Sequence, residues 1–347
     1  MIILDGRPAS AASRGQMACG CAIVLALIGC GGSSEPTGMT VPSGATLSLT
    51  VSGLLPLDPA TEGRYEAWVV TRSGTASSLG TVDPRTATTV EFTNPTADIT
   101  SFLITYEPRG DADPGPSSHR LLMGRFQNGK AALSIAGAIT LNDSPFREKP
   151  GQFTMFSPSD NAKHGYPSFE ESGVWLFNMA PRDTPQNDMW VRLTQLQPGW
   201  TYEGWMVRDI DTPNAVWLSY GKFLPDFTGT VNSRDDTGWG EFSGVTDYLK
   251  GEEEFPGDDW IANPLGYQMP GGLALPLNLR EKTASGAGRW THLITVEPSS
   301  DRGEPVTTPR PFTIRPYRDP FGDGAPGTAR TITFHADGVP RGDVVLR

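Results

Sequence analysis

The chain has 347 residues, of which 40 are Gly and 31 are Pro, about a fifth of the total against roughly an eighth in an ordinary chain, so turns are frequent. Hydrophobic residues make up 37% and charged residues 19%, spread rather than clustered, which excludes a coiled coil, a low-charge transmembrane protein and a chain disordered by composition. A formal net charge of −11 with no basic block argues against nucleic-acid binding.

At the front, Arg7 and Arg14 precede a short apolar run, Cys21 to Ile28, which ends in Leu27-Ile28-Gly29-Cys30 and gives way to the polar stretch Gly31 to Gly38. The run falls far short of the roughly 20 residues that span a bilayer, and the arrangement is that of a signal peptide over residues 1–29 with a flexible tether over 30–44. Leu27, Ile28, Gly29 and Cys30 resemble the lipobox of bacterial lipoproteins. That resemblance implies that Cys30 carries the lipid and becomes the mature N-terminus, and Gly31 after it favours the outer over the inner membrane. Cys19, Cys21 and Cys30 are the only cysteines, so no disulfide staples the body and apolar burial must hold it together.

The body repeats. Tyr65-Glu66-Ala67-Trp68-Val69-Val70 returns as Tyr202-Glu203-Gly204-Trp205-Met206-Val207, and Phe102-Leu103-Ile104-Thr105-Tyr106-Glu107-Pro108 returns as His292-Leu293-Ile294-Thr295-Val296-Glu297-Pro298. Strand-like segments precede each first motif, Leu47 to Leu54 and Trp190 to Leu196, and apolar segments close each copy, Ala131 to Ala136 and Thr331 to His335. The offset is 137 residues at the first motif and 190 at the second, so the second copy holds about 53 extra residues, within an insertion at about 208–290. Short segments rich in Val, Ile, Thr, Tyr, Phe and Trp between Gly, Pro, Asp and Asn turns predict an all-β fold, with two tandem immunoglobulin-like antiparallel sandwiches over 45–141 and 151–347 joined by a linker at 142–150. The Tyr65 strand is apolar on both faces, as a central strand is.

Tyr65, Trp68, Leu79-Gly80, Glu107-Pro108-Arg109-Gly110 and Asp113-Pro114-Gly115-Pro116 resemble the extracytoplasmic C-terminal domain of anti-sigma-K factors, over roughly Ala45 to Ala136 and more loosely over Gln186 to Tyr317. Tyr202, Trp205, Glu297 and Pro298 keep the pattern in the second copy. Such factors join that domain to a sigma-binding cytoplasmic domain through a transmembrane helix, and neither is read in this sequence. The resemblance therefore implies the outer, sensory or structural module.

No catalytic signature is present: no Gly-x-Ser-x-Gly, no phosphate loop, and no metal spacing among His119, His164, His292 and His335. Glu107 and Glu297 are read as strand-end glutamates that bind loop amides. Trp217, Trp239 and Trp260, in Gly-rich surroundings of the insertion, are the candidates for ligand stacking. Glu252, Glu253, Glu254, Asp258 and Asp259 form a weak calcium candidate, read mainly as a solvated acidic face. The same acids, together with Asp235 and Asp236, are the only pool for an alternative reading as a carbohydrate-active hydrolase. The leading expectation is a lipid-anchored envelope protein, not an enzyme and without a cofactor. Its partners would be the membrane through its anchor, an envelope protein, and a small-molecule or glycan ligand.

Overall fold

Alternation of apolar and polar residues between turn formers writes the strands. The computed structural model describes residues 41–86, 89–141, 145–146, 151–157, 169–176, 178–179, 185–186, 193–224, 257–263, 266, 268–299 and 310–347. The first seven strands are β1 (Thr46–Ser52), β2 (Arg64–Thr71), β3 (Ala76–Val82), β4 (Thr89–Thr93), β5 (Ile99–Glu107), β6 (Arg120–Arg125) and β7 (Lys130–Leu133). Then follow β8 (Gly151–Met155), β9 (Gly173–Trp175), β10 (Asn178–Met179), β11 (Pro185–Gln186), β12 (Trp200–Arg208) and β13 (Val216–Phe223). The last five are β14 (Gly257–Asp259), β15 (Trp290–Pro298), β16 (Ile314–Pro320), β17 (Ala329–Ile332) and β18 (Arg341–Leu346).

They make four antiparallel sheets of four strands, ordered β4-β1-β18-β7, β3-β2-β5-β6, β14-β9-β8-β17 and β13-β12-β15-β16, with β10-β11 as a separate ribbon. The first two sheets stack as one sandwich, where Phe92 of β4 meets Phe102 of β5 with ring centroids 6.4 Å apart. The other two stack as a second, where Phe153 of β8 meets His292 of β15 at 4.2 Å. The all-β antiparallel class expected from the sequence is thus the one observed. Among the described residues the only helical segments are three single turns of 3-10 helix, and no helix is long and apolar enough to cross a membrane.

Position by position the two sandwiches correspond: β2, β3, β5 and β6 match β12, β13, β15 and β16, while β4, β1 and β7 match β14, β9 and β17. The eighth place is filled differently. In the second sandwich it is held by β8, which precedes the repeat; in the first it is held by β18, whose Val344 lies opposite Leu49 of β1 and Ala131 of β7. The expected boundary at 151–347 therefore needs correction, because residues 341–346 complete the first sandwich. Two outer strands alone would leave β1 and β7 with unpaired backbone edges. The Arg341-Gly342-Asp343 tripeptide lies inside this central strand.

Two further expectations change. The strand before Tyr202 was placed at Trp190 to Leu196, but its sheet position belongs to β9, and residues 193–196 form no named strand. The insertion at about 208–290 is not a single inserted block, since β13 and β14 inside it are sandwich strands. In the expected linker, Phe146 is buried against Tyr317 and Phe334, with centroids 5.9 and 6.2 Å away. Gly38–Arg347 forms one compact unit.

Candidate functional site

The repeated motifs build the same polar core twice. On β2 and β5, the Trp68 indole N–H donates to Thr105 Oγ1 at 2.9 Å, and Thr105 donates to Glu107. On β12 and β15, Trp205 donates to Thr295 Oγ1 at 3.0 Å and Thr295 to Glu297 Oε1 at 2.5 Å. Each glutamate also takes a loop amide: Ser117 N–H at 3.1 Å for Glu107 and Phe312 N–H at 2.9 Å for Glu297. Tyr65 and Tyr202 each donate to a carbonyl of the chain leading into their strand, Leu55 O at 3.0 Å and Thr194 O at 2.7 Å. Burial pushes the Glu107 carboxyl above its ordinary range. Buried polar groups arranged this way are satisfied locally and fix the loop after the strand. Pro108 and Pro298 follow these glutamates in sequence; Pro108 leaves β5, and Pro298 is the last residue of β15.

One triad differs between copies. The β2–β3 and β12–β13 pairings each carry a bulge after the third motif residue, which turns Leu79 and Tyr220 out of the ladder at matching places. In the first sandwich Ala67 and Phe102 accompany Leu79. In the second, Gly204 and His292 accompany Tyr220, whose hydroxyl lies 2.8 Å from His292 Nε2. A Cβ on Gly204 would fall 1.7 Å from the Tyr220 ring, so only glycine admits that tyrosine. Gly204→Ala is expected to cost about 3 kcal/mol by overpacking, read as a lowered urea midpoint.

The two sandwiches meet over an aromatic seam. Phe312 contacts Tyr65, Tyr106 and Trp200 at 6.3, 5.1 and 5.9 Å, and His119 lies edge-on to Trp200 at 5.8 Å. His119 Nε2 is 2.7 Å from Ser299 O, and Arg310 pairs with the buried Glu62 at 2.9 Å. The Arg310 hydrogen bond holds the Glu62 carboxyl below its ordinary range, and burial pushes the Tyr106 hydroxyl up to about 12. Thr313 donates to Gly53 O at 2.7 Å and accepts from Leu55 N–H at 2.9 Å. Beside this last contact opens a cleft of about 480 Å³. Leu54, Ile210 and Leu293 give it apolar walls, and Arg315, Arg318 and His335 bring positive or protonatable groups.

The structure separates the candidates named from the sequence. Trp217 is half-buried, edge-on to Trp205 at 6.4 Å, with the Arg315 guanidinium 5.1 Å from its ring centroid. Trp260, expected as an accessible platform, is 0% exposed, because its backbone is bonded to Ser172 and Leu277 and its ring joins the core. Asp258 and Asp259, expected in a solvated loop, are buried in β14 against β9; Gly257 before them lies so close to the Trp175 ring that a Cβ would meet it at 2.6 Å. Leu27, Ile28, Gly29, Cys30, Trp239 and Glu252 to Glu254 lie outside the described residues. Among the described residues no group of three His, Cys, Asp or Glu could hold a metal ion. Arg315 and Arg318 are not among the residues singled out from the sequence, and His335 enters there only as a histidine without metal spacing. The signal was available in Arg310, Arg315 and Arg318, three arginines within nine residues of an acidic chain.

No curated protein matches the chain, and no solved structure does. A family does, and it covers the strands that carry Tyr65, Trp68 and Glu107, with Pro108 directly after them: over residues 19–120 the chain matches the family described as Anti-sigma-K factor rskA, C-terminal.

Proposed function

We propose that this is a lipid-anchored extracytoplasmic protein of the bacterial envelope that binds or senses, rather than one that catalyses. The observation that carries the reading is the match of residues 19–120 to the C-terminal, extracytoplasmic part of anti-sigma-K factors. The lipobox-like Leu27-Ile28-Gly29-Cys30 supplies the anchor, and Gly31 directs it to the outer membrane. Several acyl chains on one cysteine hold firmly where a single chain binds only marginally. The glutamates of the repeat are spent on their own threonine and amide, which leaves loops and the seam between sandwiches for recognition. A neighbouring envelope protein is the partner this family likeness favours.

Fractionation tests the anchor. The full chain is expected in the membrane pellet and its Cys30→Ala form in the soluble fraction, while an unchanged distribution would refute lipidation at Cys30. Crosslinking of native membranes followed by capture, with Cys30→Ala as control, tests the partner; a specific membrane protein is expected in the wild-type lane alone.

A further inference from the structure

We infer that the cleft beside the Thr313 contact binds a small amphipathic carboxylate, its head at Arg315 and its apolar chain along Leu54, Ile210 and Leu293. This deepens the binding reading above and rests on it. A volume of about 480 Å³ falls within the roughly 300–1,000 Å³ of small-molecule sites.

The head group follows from the state of Arg315. Its Nε donates to Phe312 O and its Nη2 to Pro311 O, both at 3.1 Å, and its guanidinium is stacked on Trp217, so the group is held in place before any ligand arrives. Nη1 has no acceptor and the group has no salt-bridged carboxylate among the described residues, whereas its neighbours Arg310 and Arg318 are paired with Glu62 and Asp211. Glu297 and Asp211 attract it from further off, but Glu297 is committed to Thr295 and the Phe312 amide, and Asp211 to Arg318. Burial disfavours its charge, and a partly buried cation without a counter-ion is the group a ligand anion relieves.

One unpaired guanidinium calls for one negative charge. The rest of the site agrees: Arg318, paired with Asp211, and His335 stand at the rim, and the acid there, Asp337, has a side chain 92% exposed and 4.0 Å from His335. Behind the head, Leu54 and Ile210 line the cleft, and Leu293 is fully buried in a cluster with Trp205 and Val207 on the outer face of β12 and β15, apolar groups that reward hydrocarbon.

Calorimetric titration of the full-length chain with octanoate tests this. Saturable binding is expected, at least tenfold tighter than for 1-octanol, which lacks the charge, or for acetate, which lacks the chain. Arg315→Gln should weaken it at least tenfold. Ile210→Glu, which adds a carboxylate at the cleft wall and leaves Arg315 intact, should do the same, so a folding defect in one variant does not decide the matter. Absence of saturable binding, equal binding of 1-octanol, or unchanged binding in both variants would overturn the proposal. So would tighter binding of acetyl-Ala-Ala-Leu with a free carboxylate, which would point to a peptide end. Failure here with Cys30-dependent membrane retention intact would remove this ligand and leave the envelope reading standing.

Discussion

Lowering the pH from 7 to 5 is expected to weaken the second sandwich by about 2 kcal/mol through His292 alone. That imidazole is fully buried between β12, β16 and the Phe153 ring, and desolvation pulls its folded pKa down from 6.5 to about 3. Between those two values the unfolded chain binds a proton that the folded chain refuses, so stability is whole above pH 6.5 and declines as the pH falls. The slope is about 1.4 kcal/mol per unit, and the loss levels off near pH 3 at about 5 kcal/mol. Glu62 and Asp209 act with the same sign in a lower range, since their lowered pKa values withdraw stability only as the pH falls through the ordinary carboxylate region and below it. Urea unfolding at pH 7, 6 and 5 separates the two effects. His292→Phe, which installs the residue that the first sandwich carries as Phe102, should flatten the slope over this interval. Equal slopes in the two proteins would refute the assignment.

Stopping the chain after Pro340 is expected to abolish the cooperative fold of the first sandwich. Strand β18 bonds on both sides, to β1 from Leu47 to Ser52 and to β7 from Lys130 to Leu133. Its loss strands two backbone edges, uncovers Leu49, Val51 and Ala131, and removes the fully buried Val344. Losing both ladders and that burial costs more than about 5 kcal/mol, comparable with the whole stability of an ordinary domain. Limited proteolysis should show cleavage throughout 41–141 in the truncated protein, with the second sandwich protected for longer. Adding a synthetic peptide of residues 340–347 should restore protection. Protection of 41–141 without the peptide would show that β18 is dispensable.

The repeat was legible because its residues are tied together by chemistry that needs particular side chains. Trp68 needs Thr105, which needs Glu107, and the same dependence at Trp205, Thr295 and Glu297 kept both copies readable after much divergence. The outer sheets were legible only in part, as the segments Leu47 to Leu54, Ala131 to Ala136 and Thr331 to His335, and their pairing was not legible at all. Strands β1, β9, β8 and β18 are held by backbone pairing and generic apolar burial, so many sequences fill them, and no local pattern reveals that residue 344 lies beside residue 49. Burial of Trp260 and Asp259 was missed for a related reason: β14 has only three residues, too few for a period, and its surroundings are rich in Gly and Pro. The cleft arises from the turn after β1, the hairpin of β12 and β13, and β16. Its chemistry is distributed over segments that only tertiary structure brings together.

Strand β18 is also the last of the eighteen to leave the ribosome. At about 5–20 residues per second, roughly 10–40 s separate the synthesis of Leu133 from that of Leu346. During that interval β1 and β7 have been made and their common neighbour has not, while the second sandwich, whose strands all lie between residues 151 and 332, can already close. The first module in sequence is therefore the last to be finished, and the chain passes through a stage with two open strand edges that its own later residues must seal.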